Sequence, residues 1–415
     1  LFGPLTKGIT SVLFTREDVL NLDILTKKLA DEKITRWVIV PSLLRALLEK
    51  LKSEKLTLPH LRYWSSSGET LSLDLMEEFY EVFSPASHKL LNIYGSSEVT
   101  ADVTCYDASE VFKAGNVAEM SWYKKGSGSA PIGKPIANCQ VYIVDKKGKL
   151  LPQGAWGEIY VGGVQVADGY LNATDLTAKR FIADSYTNRR GATLFKTGDM
   201  GRWLKDGNIE YLGRIDGQVK IRGYRIEPGE IESMLKQSDL VNEAIVLAKE
   251  NNDGNSHLIG YVVPNGAFDK NSITDYLKSN LPEYMVPAIW VELEKLPLLP
   301  NGKLNKNALP QPEISTLLKH QYVAPVTETE VKLTEVWQEL LGIEQVGVYD
   351  NFFELGGHSI LIMKMVSSMK KRFGLTVPIH VVFQLPTISS LSNYIDWEQN
   401  VVEDENSTEV EVINI

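Results

Sequence analysis

Cysteine is nearly absent from this chain: 415 residues contain two, Cys105 and Cys139. So few exclude a disulfide framework, and the lack of a CxxC pair or Cys/His cluster argues against a zinc site. We expect a reducing, cytoplasmic setting. There is no long apolar run, so no membrane span is expected. Basic residues are in deficit, 43 Lys and Arg against 53 Asp and Glu for a formal net charge of -10, which argues against a nucleic-acid surface. After Arg372 there is no Lys or Arg at all, and we expect 399–415, with Glu403, Asp404 and Glu405, to be a flexible acidic tail. An initiator methionine and a signal peptide are also lacking; the sequence opens on Leu1 in mid-pattern, and we expect a fragment.

What is present is ordinary for a globular protein, 43% hydrophobic and 23% charged, in a length that fits two to three domains. From Leu1 to about Asp107, short strands alternate with helices: Trp37-Val38-Ile39-Val40 reads as a buried strand, Pro41-Ser42 as a helix start, and Leu61-Arg62-Tyr63-Trp64 as the next strand. Such alternation implies a parallel sheet with ligands at the carboxyl ends of its strands. Two loops are expected there, Ser65 to Glu69 and Asn92-Ile93-Tyr94-Gly95-Ser96-Ser97-Glu98. A β-rich region follows, with strands at Val141–Val144 and Glu158–Val161.

Leu194 to Glu232 reads as a joint. Trp203, Leu204, Ile209 and Tyr211 flank Asp206-Gly207, a hairpin signal; Asp216-Gly217 precedes a short strand at Val219; and Glu227-Pro228-Gly229-Glu230 reads as a helix start. A small α+β domain, a Pro-containing linker and a helical bundle follow, with helices expected at Glu330–Leu341 (Val331, Val336, Leu340 and Leu341 on one side), Ser359–Phe373 and Thr387–Trp397.

Several runs resemble the acyl-adenylate-forming superfamily, the adenylation domains of nonribosomal peptide synthetases, fused to a phosphopantetheine carrier. These are NIYGSSE, GEIYVGGVQVADGYLNATDLTAKRF, KTGD, GRIDGQVKIRGYRIEPGEIE, LPNGKLNK and DNFFELGGHS. The resemblance covers all but the tail and implies an α/β and α+β multidomain fold: a partial adenylation large domain, mixed sheets plus a β-rich part, at 1–213; a hinge at 214–217; a small mobile domain at 218–310; a linker at 311–326; and a four-helix carrier at 327–398. It also implies ATP, Mg2+ and 4'-phosphopantetheine as cofactors. Asn92 and Tyr94 would meet the adenine, Ser97 the phosphoryl oxygens and Glu98 the magnesium, while Asp199 and Arg214 would bind nucleotide. Lys303 would be the catalytic cation, Asp216 the hinge pivot and Ser359 the phosphopantetheine attachment site. The superfamily's Ser/Thr/Gly-rich phosphate loop does not occur in these residues, so we do not expect the chain to adenylate alone.

By motif spacing, the substrate pocket would include Val38, Trp64, Ser66, Ile93, Ala101 and Asp102. The pattern is similar to that of β-alanine-activating domains, with Asp102 facing an amino group one carbon further from the carboxylate than in an α-amino acid. ITRWVIVPSLLRALL and LLNIYGSSEVTADVTCYD resemble the Ebony-type β-alanyl-amine synthetases. The implied partners are an amino acid, a phosphopantetheinyl transferase and a downstream acyl-accepting domain of amine or condensation type, with no nucleic acid and no membrane. The rival readings are a peptide synthetase module for another amino acid, and a carrier or interaction scaffold only.

Overall fold

The computed structural model describes residues 2–115, 128–187, 189–221, 223–250, 256–299, 304–310, 322–353, 355–357 and 359–407. The backbone falls into two units, Leu29–Glu227, and Leu1–Lys28 together with Pro228–Ile415.

The first helices are short: α1 (Phe2–Leu5), α2 (Arg16–Leu20) and α3 (Leu22–Asp31). A capping box starts α2, the Thr15 hydroxyl accepting from the Asp18 N–H while the Asp18 carboxylate accepts from that of Thr15.

In the Leu29–Glu227 unit, β1 (Arg36–Ile39) leads to α4 (Pro41–Glu54), β2 (Tyr63–Ser66), α5 (Leu73–Val82), β3 (Lys89–Ser96), β4 (Ala101–Asp107), α6 (Ser109–Ala114) and β5 (Lys134–Pro135). Pro41 at the first helical position starts α4, and its leucine stripe, Leu43, Leu44, Leu47, Leu48 and Leu51, is buried. The sheet order is β1-β2-β3-β4-β5, but only β1 to β3 are parallel; β4 and β5 run antiparallel. The parallel part expected from the strand-helix alternation is β1 to β3, and the sheet as a whole is mixed, as the fold class expected, because β3 turns directly back into β4 with no crossover helix between them. Nor is the first strand buried throughout: β1 is an edge, and Val38 is 60% exposed. β3 runs further than expected, carrying Asn92 to Ser96 within the strand rather than in a following loop.

A second sheet uses β6 (Cys139–Val144), β7 (Gly157–Gly163), β8 (Phe181–Ala183) after α7 (Thr174–Arg180), β9 (Thr193–Trp203) and β10 (Ile209–Arg214). Its order is β10-β9-β7-β6, antiparallel, with β8 on β9. The β9–β10 hairpin turns at Asp206-Gly207, where Gly207 has φ +78°. One core joins both sheets: Tyr94, Val99 and Val103 pack with Ile132, Ile159, Val161 and Phe195. The unit ends in a two-stranded hairpin, β11 (Val219–Ile221) and β12 (Tyr224–Ile226).

In the other unit, Pro228 opens α8 (Pro228–Lys236), as expected, ahead of β13 (Val241–Glu250), β14 (Ser256–Pro264), α9 (Lys270–Asn280) and β15 (Ile289–Glu292). The strands order β13-β14-β15. The carrier region follows as α10 (Glu328–Leu341), α11 (Ser359–Phe373), α12 (Ile379–Gln384) and α13 (Ile388–Ser407). Its core of buried residues, including Trp337, Phe352, Met365 and Ile395, lies within 333–395. Leu20 packs against that core, and Asp23 pairs with Lys370 at 2.7 Å. Two expectations change here. Val331 is 40% exposed rather than on the core side. The last helix continues past Trp397 into the acidic residues, held where the Gln399 side-chain amide donates to the Phe373 carbonyl at 3.1 Å.

Candidate active site

β9 and β10 bring three charged residues expected from sequence into one cluster. Gly198, at φ +76°, and the register Arg214↔Asp199 set Asp199 beside Arg214. The Asp199 Oδ1 accepts from Arg214 Nη1 at 2.9 Å, and its Oδ2 from the Tyr94 hydroxyl at 2.5 Å. Arg214 closes a two-point contact on Asp216, Nε to Oδ1 at 2.8 Å and Nη2 to Oδ2 at 2.7 Å, and Arg180 adds 3.0 Å to Oδ2. Burial raises the Asp199 carboxyl above its ordinary value against the opposing pull of Arg214. Burial also pushes on Asp216 but is outweighed by the hydrogen bonds from Arg214 and Arg180, which hold it well below the usual range. Asp199 keeps free lone pairs and can still accept from a diol.

Glu98 sits on a 3-10 turn, Ser97–Val99, just past β3 and is 8% exposed. Both of its oxygens accept from Arg225 Nη1, at 2.8 and 2.9 Å, and Oε1 also accepts from the Tyr170 hydroxyl at 2.8 Å. Burial raises its pKa, but its own backbone N–H, Arg225 and Tyr170 outweigh that and lower it. No group of three or more His, Cys, Asp and Glu that could hold a metal ion exists among the described residues. Magnesium commonly takes one or two carboxylates and completes its shell with phosphate and water. Glu98 therefore fits as a single protein ligand, with Arg225 displaced.

A small cleft is lined by Gly68 to Leu71, Asn92 to Gly95, Ala130, Ile132, Tyr211 and Lys220, and Tyr94 links it to Asp199. Asn92 is buried and donates to the Pro131 carbonyl at 2.8 Å, leaving its amide oxygen for a ligand. The Tyr94 ring carries Lys220 Nζ 5.7 Å from its centroid, and burial lowers the lysine's pKa. Ser97 is exposed on the turn.

The expected pocket residues do not share one wall. Strand register pairs Val38 with Ser65 and Leu91, and Ile39 with Ser66 and Asn92. Side chains alternate along a strand, so Val38 and Ile93 lie on one face while Trp64 and Ser66 lie on the other. Trp64 is fully buried against Phe79 and Phe83, and Ser66 is fully buried too. Spacing placed these two one residue out of phase; Ser65 holds the face of Val38. Further on, a bulge resets the alternation: Tyr94 pairs with Thr104 but Gly95 with Asp102, leaving Val103 extra. A Cβ on Gly95 would lie 1.6 Å from the Ala101 carbonyl oxygen, so only glycine permits this crossing. Ala101 is exposed, opposite Ser96. Asp102 is half-buried, and burial alone raises its pKa. No ion pair or hydrogen bond engages its side chain among the described residues.

Lys303 lies outside the described residues. Ser359 begins α11 directly after the Gly356-Gly357 turn. Gly356 has φ +95°, and a Cβ on Gly357 would meet the Phe352 ring at 2.2 Å.

Sequence reasoning missed Tyr170 and Arg180, which lie in the GYLNATDLTAKRF run read as structural, and the cleft residues Tyr211 and Lys220. The signal was available in Tyr, Lys and Arg residues set within a loop, a helix end and strands otherwise read as structural.

Residues 1–171 match the AMP-binding enzyme family model, 230–303 its C-terminal domain, and 331–395 the phosphopantetheine attachment site. Bacitracin synthase 1 of Bacillus licheniformis is 37% identical over 98% of this chain, and gramicidin S synthase 2 of Brevibacillus brevis 39% over 95%. Surfactin synthase subunit 1 of Bacillus subtilis (strain 168) is 36% identical over 95%. The chain spans 7%, 8% and 10% of the length of these relatives. Among solved structures, an NRPS protein containing adenylation and PCP domains, in holo form with a vinylsulfonamide inhibitor, superposes with a TM-score of 0.70 at 24% identity, covering 90% of this chain and 59% of that one. An artificially fused adenylation-PCP di-domain from Klebsiella oxytoca gives 0.55 at 22%, covering 94% and 61%. These two likenesses concern the fold alone. With AMP-binding, AMP-binding C-terminal and phosphopantetheine attachment domains in one polypeptide, the chain has an adenylation-plus-carrier architecture and nonribosomal peptide synthetases among its homologues.

Proposed function

We propose that the chain is part of an AMP-forming ligase that uses ATP to activate an amino acid as its adenylate and moves the acyl group to 4'-phosphopantetheine on Ser359. The observation that carries this reading is a chain of contacts: Asn92 and Tyr94 line the cleft, the Tyr94 hydroxyl donates to Asp199, Asp199 accepts from Arg214, and a magnesium-compatible carboxylate, Glu98, follows on the turn after the same strand. In this reading Asp199 accepts from the ribose hydroxyls, Arg214 fixes it, and Tyr94 presents a ring face to the base. Magnesium, when bound at Glu98, would neutralise the phosphates. Lys303 supplies the cation at the reacting phosphate, Ser97 a hydroxyl to the phosphoryl oxygens, and Asp216 the pivot of the joint. The carrier partner is a phosphopantetheinyl transferase, and an acyl-accepting domain of amine or condensation type takes the product. The two free cysteines fit a cytoplasmic setting. No described helix is long and apolar enough to cross a membrane.

We also propose that the amino acid is β-alanine, as in Ebony-type synthetases. What supports this is Asp102, a half-buried carboxylate without a counter-charge among the described residues, suited to an ammonium group. The test is ATP–pyrophosphate exchange in a polypeptide that supplies the phosphate loop ahead of Leu1. β-Alanine is expected to drive exchange well above α-alanine; equal rates overturn the β-alanine reading, and no exchange with any amino acid overturns the adenylation reading.

A further inference from the structure

Glu98 is more heavily engaged than a waiting metal ligand needs to be. Arg225 places Nη1 on both of its oxygens, and that guanidinium is itself aimed from behind: Arg225 Nε donates to Gln218 Oε1 at 2.7 Å, and the Gln218 amide donates in turn to Glu227. Gln218, Arg225 and Glu227 all lie in or beside the β11–β12 hairpin, where Lys220 pairs with Arg225. Among the described residues, two cationic side chains tie the hairpin down, Arg225 on Glu98 and Lys220 over the Tyr94 ring, while Gly223 at its turn lies against Gly68 and Val40. It ends at Glu227, where one unit gives way to the other at Pro228.

A divalent cation on either Glu98 oxygen would stand within a few ångströms of the guanidinium now bound to both. Two cations on one carboxylate that is itself 8% exposed repel each other, and the partial exposure of Arg225 weakens that repulsion without removing it. We infer that Arg225 and the divalent cation are mutually exclusive occupants of Glu98, which makes Arg225 a positioning residue: it secures the joint hairpin when the metal is away and releases it when the metal arrives. Tyr170 donates to Glu98 in a geometry that leaves the second oxygen to whichever cation is present, and so steadies the carboxylate in both situations. The sequence of events follows from charge alone. Arg225 would leave Glu98, and the hairpin would lose that tie, with a metal-nucleotide bound there; Arg225 would return to the carboxylate without one.

This inference rests on the proposed nucleotide site, but its test needs no turnover. Mn2+ binding to the full chain is titrated by electron paramagnetic resonance, and backbone hydrogen exchange is read across Val219–Ile226. Arg225→Ala is expected to bind Mn2+ about tenfold more tightly than the unaltered chain, the scale of one charge-assisted contact. Arg225→Lys, which keeps the charge, is expected to return affinity toward the starting value, and Glu98→Gln added to Arg225→Ala to abolish the gain. Mn2+ should speed exchange of the hairpin in the unaltered chain and leave it unchanged in Glu98→Gln. The inference is overturned if Arg225→Ala binds Mn2+ no more tightly, if the gain survives Glu98→Gln, or if the hairpin's exchange ignores the metal. Failure of ATP–pyrophosphate exchange, by contrast, bears on the adenylation reading and leaves these readouts intact.

Discussion

Asp102 and Asp216 are both partly buried, yet they sit in opposite electrostatic situations. Asp216 has two guanidinium partners and a folded-state pKa well below its ordinary value, so its contribution to stability is whole above pH 3.8 and disappears as pH falls through the lowered value. Asp102 has no partner among the described residues, and burial raises its pKa, so stability is lost as pH rises from 3.8 through the raised value and the loss is complete above it. Urea unfolding should therefore show Asp216→Asn lowering the midpoint at pH 7 but matching the unaltered chain at the acid end, while Asp102→Asn raises the midpoint at pH 7. The same Asp102→Asn change should abolish exchange driven by β-alanine; a variant that is more stable and still active would separate the two roles. The clustering of Asp199, Arg214 and Asp216 was legible in sequence because KTGD and GRID place Asp199 and Arg214 on two strands of one hairpin and Asp216 two residues past the second. Trp64 and Ser66 were not, because a motif gives spacing but a strand gives phase, and an error of one residue turns a side chain to the other face.

At the level of elements, the tight turns were the most readable features, since glycine reports backbone geometry directly. Asp206-Gly207 and Gly356-Gly357 both stand where the sequence placed them, with Gly207 and Gly356 at positive φ. Less readable was the length of β3: Asn92 to Ser96 resemble a loop in composition, but pairing with β4 extends the strand through them. The same holds for α13, whose acidic end looked like a tail until the contact from Gln399 tied it to Phe373. Gly357 makes a strong prediction, because its missing Cβ is where the Phe352 ring edge lies. Gly357→Ala should destabilise the carrier region by about 1 to 3 kcal/mol, the usual cost of overpacking, as read by thermal unfolding monitored through the buried Trp337.

For the whole molecule, the buried cluster of the carrier core lies within 333–395, with Leu20 packed against it from outside. A polypeptide of residues 322–407 should therefore fold on its own, show a helical circular dichroism spectrum and gain one phosphopantetheinyl group by mass spectrometry when given a transferase and coenzyme A. A Ser359→Ala version should fold equally and gain nothing. The order of the domains was legible because each carries its own motif, whereas the grouping of Leu1–Lys28 with Pro228–Ile415 was not, since it depends on contacts such as Lys370 to Asp23 that no local pattern encodes. The alternation of faces along β1 to β3 also bears on retargeting the enzyme. On the proposed pocket face of Val38 and Ile93, which strand register shares with Ser65 and Leu91, a randomised library is expected to alter recognition, whereas one built on the fully buried Trp64 and Ser66 is expected to return mostly misfolded clones, whatever acid is used for selection.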